Sequence, residues 1–341
     1  MPYRFDPELA SLVEITPHVT VDDITATRAR AAELMLAATR EIDLTGVNIT
    51  DTCVPGPPDA PDVAVRIYTP VGVARPTPAV LHLPGGGFVA GGLGTEHRAN
   101  IGLSRAVGAV VVAVDYRLAP EHPYPSALED CYAALCWMAA RADRLGVDPN
   151  RIAVHGAHAG GGLAAALALL TRDRGGPALC FQCLDFPELD DRRAVPSLAA
   201  APVGLGDALG GGREHRPGTT GAGTDSAGAD GGSVGAARRA DTAVHWDAYL
   251  GEGRAGTDGV PLYAAPARAE DLRGLPPAYV CVQERDRLRE QGVAYADALR
   301  SAGVPARLQV VAGSAPEPAP RRRAASPETV AALRAALHGR D

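Results

Sequence analysis

The sequence predicts an α/β domain built on a mostly parallel sheet, and two observations carry that prediction. Short β-branched or apolar runs recur at Ala79–Leu83, Ala109–Asp115, Ile152–His155, Ala178–Cys183 and Ala278–Val282. They are continuous rather than alternating, as in strands buried on both faces. Helical stretches fall between most of them, at Ser126–Ala142, Gly160–Thr171 and Arg289–Ala302. Strands that alternate with helices imply a parallel sheet covered on both sides.

In chain order, residues 5–42 read as helical. Thr20 to Asp23 resembles a capping box with Asp in the last place. Ile24, Ala31, Leu34, Met35 and Ala38 then repeat at helical spacing. In Asp62–Tyr68, Val63, Val65 and Ile67 alternate as in a half-buried strand. The helix over 289–302 is expected to stop at Gly303, suited to a left-handed cap, with Pro305 preventing continuation. A last helix is expected after Ser326, with Ser326 as cap and Pro327 in the first turn. Residues 203–239 are dominated by Gly, Ala, Asp, Arg and Thr and read as a disordered insertion, because they offer too little apolar surface to offset ordering entropy. Residues 313–325 read as a Pro-rich connection, with Arg321–Arg323 a solvated run.

Composition narrows the function. The chain has 341 residues, a net charge of −7 and 33 basic residues, all of them Arg. An acidic chain with dispersed Arg lacks the electrostatic footprint of nucleic-acid binding and offers no basic membrane anchor. No apolar run reaches the roughly 18 residues of a spanning helix, and no secretory signal is visible after Met1. The six cysteines form no compact framework and read as free, buried thiols of a reducing cytoplasm. Cys180 and Cys183, three apart in a strand, would face opposite sides and have no second pair for a zinc site.

Three segments look like parts of one machine. Pro84-Gly85-Gly86-Gly87-Phe88 follows a strand, and its glycines allow a sharp turn that aims backbone N–H groups inward. Ile152 to Gly162 reads as strand, tight turn and apolar helix, with small residues at 156 and 160 permitting a strained elbow around His158. Glu284-Arg285-Asp286-Arg287-Leu288-Arg289 follows another strand, where an acidic partner for a base would sit.

With Asp115-Tyr116-Arg117-Leu118-Ala119-Pro120-Glu121-His122-Pro123-Tyr124-Pro125 and Ala127-Leu128-Glu129-Asp130, these segments make the chain resemble the hormone-sensitive-lipase-like bacterial esterases of the α/β-hydrolase fold. The resemblance covers about 45–200 and 245–312. It implies an eight-stranded, mostly parallel sheet flanked by helices, with a helical cap. The division expected is cap helices over 1–45, a core over 46–187 and 251–341, and a cap insertion over 188–250. It implies carboxylic-ester hydrolysis by a Ser–His–Asp triad. Carried over by position, Gly86, Gly87 and Ala159 would be oxyanion donors and Asp286 the triad acid. Asp115, Arg117 and Glu121 are read as organising the loop around Pro120 and Pro123.

The departures fall at the chemistry. The elbow reads Gly156-Ala157-His158-Ala159-Gly160, so His158 stands at the nucleophile position. Pro84 opens the glycine loop where the family has His. Pro316 stands where the resemblance places the triad His, and no His follows until His338. Without nucleophile and base, oxyanion donors and binding alone leave about 10³–10⁴-fold acceleration over water. The expectation is a weak or altered hydrolase, or a pseudo-hydrolase, acting on or binding a small apolar ester, acid or related ligand. The alternatives are a non-catalytic binder or sensor, a lyase or cyclase using the same pocket, and a decayed gene product. His158 could itself serve as nucleophile or base, since a neutral imidazole is competent at neutral pH. His82, His155 and His158 suggest a metal, but two strand residues and an elbow residue rarely converge and no carboxylate is evident. No metal and no cofactor are therefore expected. Nucleic acid and membrane partners are not expected, and a homodimer is left open.

Overall fold

The computed structural model describes Ile24, Arg28, Ala29 and residues 42–192, 244–312 and 325–339. The expected 203–239 insertion, most of the N-terminal helices and Pro316 lie outside them. One eight-stranded sheet organises the described residues, in the order β1-β2-β4-β3-β5-β6-β7-β8. These are β1 Val47–Val54, β2 Val63–Pro70, β3 Thr77–Leu83, β4 Val110–Asp115, β5 Val147–Ala157, β6 Phe181–Asp185, β7 Ala278–Gln283 and β8 Ala306–Val311. Strands β1 and β2 pair antiparallel, and β2 meets β4 antiparallel. From β4 through β3, β5, β6 and β7 to β8 every pairing is parallel.

The helices are α1 His97–Val107, α2 Ser126–Ala140, α3 Ala142–Leu145, α4 Ala159–Arg174, α5 Arg289–Ser301 and α6 Pro327–His338. Residues 244–250 are also helical. Helices α2, α4 and α5 cover one face, where Leu128, Leu135, Leu163, Leu167, Leu299, Leu81 and Val154 form the larger core. Helices α1 and α6 cover the other, where Ile101, Leu103 and Leu333 pack on Val80, Val111 and Ala153. Each central strand therefore buries both faces, which is why β3 and β4 read as unbroken apolar runs.

Several expected boundaries move. The 126–142 helix divides into α2 and α3 around Arg141. The expected Ala178–Cys183 strand begins at Phe181 and runs to Asp185, so a carboxylate enters the sheet. The edge strand β8 escaped notice because Arg307 and Gln309 interrupt its apolar residues on a half-exposed edge. The caps hold: Gly303 has φ 78°, and Ser326 Oγ accepts the Thr329 N–H at 3.1 Å. All six cysteines are free, but only Cys131, Cys183 and Cys281 are fully buried. Cys53 is exposed, a correction to the buried reading, because it lies on the edge strand β1.

The signature segment after β4 behaves as expected. Arg117 makes a bidentate ion pair with Asp130, which is 1% exposed, and its backbone N–H reaches the same carboxylate at 2.9 Å. Glu121 pairs with Arg28, whose guanidinium also donates to Val89 O at 2.6 Å and Ala119 O at 2.8 Å. Arg28 thus bridges the backbone just after the glycine loop and the turn at Ala119–Glu121. Asp115 lies against Gly92, where an added Cβ would stand 2.9 Å from its Oδ1.

Candidate active site

The parallel strands β3, β5, β6 and β7 end at one edge of the sheet, and the glycine loop, His158 and Asp286 follow β3, β5 and β7 there. His158 follows β5 and precedes α4. Its backbone angles are φ 52° and ψ −119°, a conformation that costs a non-glycine residue on the order of 1–3 kcal/mol. Three backbone bonds hold it. Its N–H donates to Asp185 O at 3.0 Å, and its carbonyl accepts from Gly162 and Glu188, each at 3.0 Å. The turn depends on two glycines. A Cβ at Gly156 would strike Gly160 O, and one at Gly160 would strike Leu83 O and, at 2.7 Å, Pro84 O. Helix α4 therefore begins in direct contact with the glycine loop. The His158 ring lies 5.8 Å from that of Phe186, tilted by 38°.

The glycine loop has the shape its sequence requires. Gly86 and Gly87 take φ 143° and 61°, and Phe88 takes 65°. Tyr116 Oη donates to Pro84 O at 2.6 Å, and Ala119 N–H donates to Phe88 O at 3.0 Å. The loop meets the elbow at Gly85, where a Cβ would lie 2.8 Å from Ala157 O, and Ala159, the first residue of α4, directly follows His158.

Asp286 sits after β7 and is 7% exposed. Its Oδ1 accepts the Leu288 N–H at 3.0 Å, and its own N–H donates to Gln283 O at 3.2 Å. Those bonds fix the carboxylate where α5 begins.

Two groups in this region escaped the sequence reading. Glu188, 1% exposed, sits on the elbow through its N–H. Burial pushes its carboxyl up to about 7, the nearby Arg287 pulls it down and Asp286 adds to the rise. His245, in the helical segment 244–250, presses on the glycine loop: a Cβ on Gly87 would lie 2.5 Å from its Nδ1. Burial lowers its pKa to about 4, and Arg287 lowers it further. At neutral pH the ring is uncharged. Among the described residues, neither Glu188 Oε1 nor His245 Nδ1 has a hydrogen-bond partner. Nothing local in the sequence marked either residue. Glu188 lies in an acidic turn, and His245 comes from a segment far along the chain.

A strained elbow after a parallel strand, a glycine loop against it and a buried acid two strands away form a hydrolase scaffold. An α/β-hydrolase-fold family model matches residues 80–206 and 216–315. The chain belongs to the α/β-hydrolases, in their hormone-sensitive-lipase-like esterase group. Esterase LipI of Mycobacterium tuberculosis is 36% identical over 307 residues, covering 88% of this chain and 83% of its own. Carboxylesterase NlhH of the same species is 36% identical over 318 residues, covering 89% and 85%. Among solved structures, a bacterial heroin esterase matches with a TM-score of 0.78 at 35% identity, covering 98% of each chain. A hyperthermophilic esterase from Pyrobaculum calidifontis matches with a TM-score of 0.74 at 28% identity, covering 98% of this chain and 99% of its own. As an esterase-like α/β-hydrolase, the chain keeps the elbow backbone while presenting imidazole at its apex. Among the described residues, no helix is long and apolar enough to cross a membrane.

Proposed function

We propose that this α/β-hydrolase has lost efficient serine-type ester hydrolysis and retains the site as a weak hydrolase or a binder of small apolar esters or acids. The observation that carries the reading is His158 at the elbow apex, with φ 52° and its backbone held by Asp185, Gly162 and Glu188. A serine hydrolase needs a hydroxyl there and a base to accept its proton. Here the apex offers an imidazole, and the resemblance places Pro316 at the base position.

What remains suits recognition of a carbonyl group. Backbone N–H groups at Gly86, Gly87 and Ala159 are the donors that would face a carbonyl oxygen. Glu188, with its carboxyl at about 7, is partly protonated at neutral pH and can donate a hydrogen bond. Neutral His245 can accept one or abstract a proton. A binding role is favoured by the two buried polar atoms on these residues that have no hydrogen-bond partner among the described residues, since such atoms are costly unless something satisfies them.

The test is hydrolysis of short-chain p-nitrophenyl esters by the purified protein beside His158→Ala, with fluorophosphonate labelling of both. Expected is slow turnover, little changed in the variant, and no labelling. Turnover abolished by His158→Ala would make the imidazole the working group. Rapid fluorophosphonate labelling would reveal an activated serine and sink the proposal.

A further inference from the structure

Behind the elbow, on the face covered by α1 and α6, runs a chain of buried polar side chains. Glu96 Oε2 lies 2.9 Å from His82 Nε2. His82 Nδ1 lies 3.0 Å from His155 Nδ1. His155 Nε2 lies 3.3 Å from Asp185 Oδ2. Thr329 Oγ1 donates to Asp185 at 3.0 and 3.2 Å and accepts from Ser326 Oγ at 3.0 Å. Glu96, His82, His155, Asp185 and Thr329 are all 4% exposed or less. The sheet register brings them together, because His82 pairs with His155 and His155 with Cys183, two residues before Asp185.

A third donor stands at the His155–Asp185 end of this chain: one ligand atom each from His155, Cys183 and Asp185 lie within 4.8 Å of one another.

We infer that His155, Cys183 and Asp185 form a buried site for a zinc-class divalent cation in the sheet. Nitrogen, sulfur and oxygen ligands are the set such an ion takes, at about 2.0 Å for nitrogen and oxygen and 2.3 Å for sulfur. Two ligands at about 2.0 Å and tetrahedral angles stand roughly 3.3 Å apart, and the separation of His155 Nε2 and Asp185 Oδ2 is 3.3 Å. The outer shell is also present. A ligating histidine usually passes its other N–H to a fixed acceptor, and a ligating carboxylate is itself hydrogen-bonded. Here His155 Nδ1 meets His82, which Glu96 orients, and Thr329 holds Asp185. Binding would exchange the Cys183 thiol proton for the metal and release it to solvent. The ion would sit behind the elbow and need not touch the substrate, so the site stands independently of any hydrolysis.

The sequence argued against a metal because no carboxylate was in view. His158 is not in the cluster. The carboxylate comes from Asp185, on a strand that extends two residues beyond its expected end.

The experiment uses the full chain, expressed with added zinc and purified through a tag without histidine. Metal content is measured on wild type, Cys183→Ser and Asp185→Asn, and a cobalt-loaded sample is examined by absorption. Expected are about one zinc per chain in wild type, at least a fivefold loss in each variant, and a thiolate-to-cobalt charge-transfer band absent from Cys183→Ser. Folded wild type with under a tenth of an ion per chain would mean that His155 and Asp185 meet only in the 3.3 Å hydrogen bond, and would overturn the inference. Zinc content unchanged in both variants would overturn it too, by placing the ion elsewhere. If the variants do not fold, the wild-type cobalt spectrum decides: a bound ion without the thiolate band refutes the site.

Discussion

At the residue scale, Glu188 and His245 pull the pH dependence of stability in opposite directions. The Glu188 carboxyl is raised to about 7 in the folded chain, so between its unfolded value and about 7 the native state holds more protons. That contribution makes stability fall as pH rises through this window. The His245 imidazole is lowered to about 4, so between about 4 and 6.5 the unfolded state holds more protons, and stability rises with pH. Between about pH 4.5 and 6.5 the two slopes largely cancel. Each variant should unmask the other. Glu188→Gln should gain stability from pH 4.5 to 6.5 and exceed wild type at pH 8, by on the order of 2 kcal/mol. His245→Gln should lose stability over pH 4.5 to 7. Urea melts at half-unit pH steps measure both, and parallel curves for wild type and the two variants would refute the assignment. Neither group was legible, because burial, not a motif, gives each its property. His158 was legible, because the glycines that shape its turn are its near neighbours in sequence.

At the element scale, the Arg117–Asp130 ion pair anchors the segment between β4 and α2 to the first turns of α2. Asp130 is 1% exposed and accepts from the Arg117 guanidinium at 2.8 and 2.9 Å. Removing only the arginine leaves a buried charge whose main cation is gone, which typically costs 3–5 kcal/mol. Arg117→Met should therefore lower the denaturation midpoint sharply, while Arg117→Met/Asp130→Leu should recover much of the loss. Thermal melts of the three proteins decide, and equal melting of Arg117→Met and wild type would show the pair to be idle. Elements such as this were read where the determinants are local. Ser326 was placed as a cap because the Ser-Pro-Glu sequence at a helix start is self-contained, and its Oγ does accept the Thr329 N–H. The end of β6 was not read, because Asp185 is polar and its reasons for lying in the sheet, His155 and Thr329, are 30 and 144 residues away.

At the scale of the whole molecule, the sheet order assembles a site from segments that the chain keeps apart. The glycine loop follows β3, the elbow β5, Glu188 lies just past β6 and Asp286 follows β7, while His245 comes from helical residues 244–250. Triad chemistry needs nucleophile and base together, so restoring one part should yield little. His158→Ser puts a hydroxyl at the apex. Under the proposed loss of the triad base, its p-nitrophenyl ester turnover should stay within about tenfold of the parent, because a triad lacking one member loses most of its acceleration. Adding Pro316→His should raise turnover by roughly 10²-fold or more over either single variant, a non-additive gain that only a shared site produces. Fluorophosphonate labelling should track the same order. Brisk labelling of His158→Ser alone would mean that a base already stands within reach, and His245, packed against Gly87 and uncharged at neutral pH, would be the residue to replace next. In that outcome His245 would serve as the base, and the proposed loss of efficient hydrolysis would rest on His158 alone.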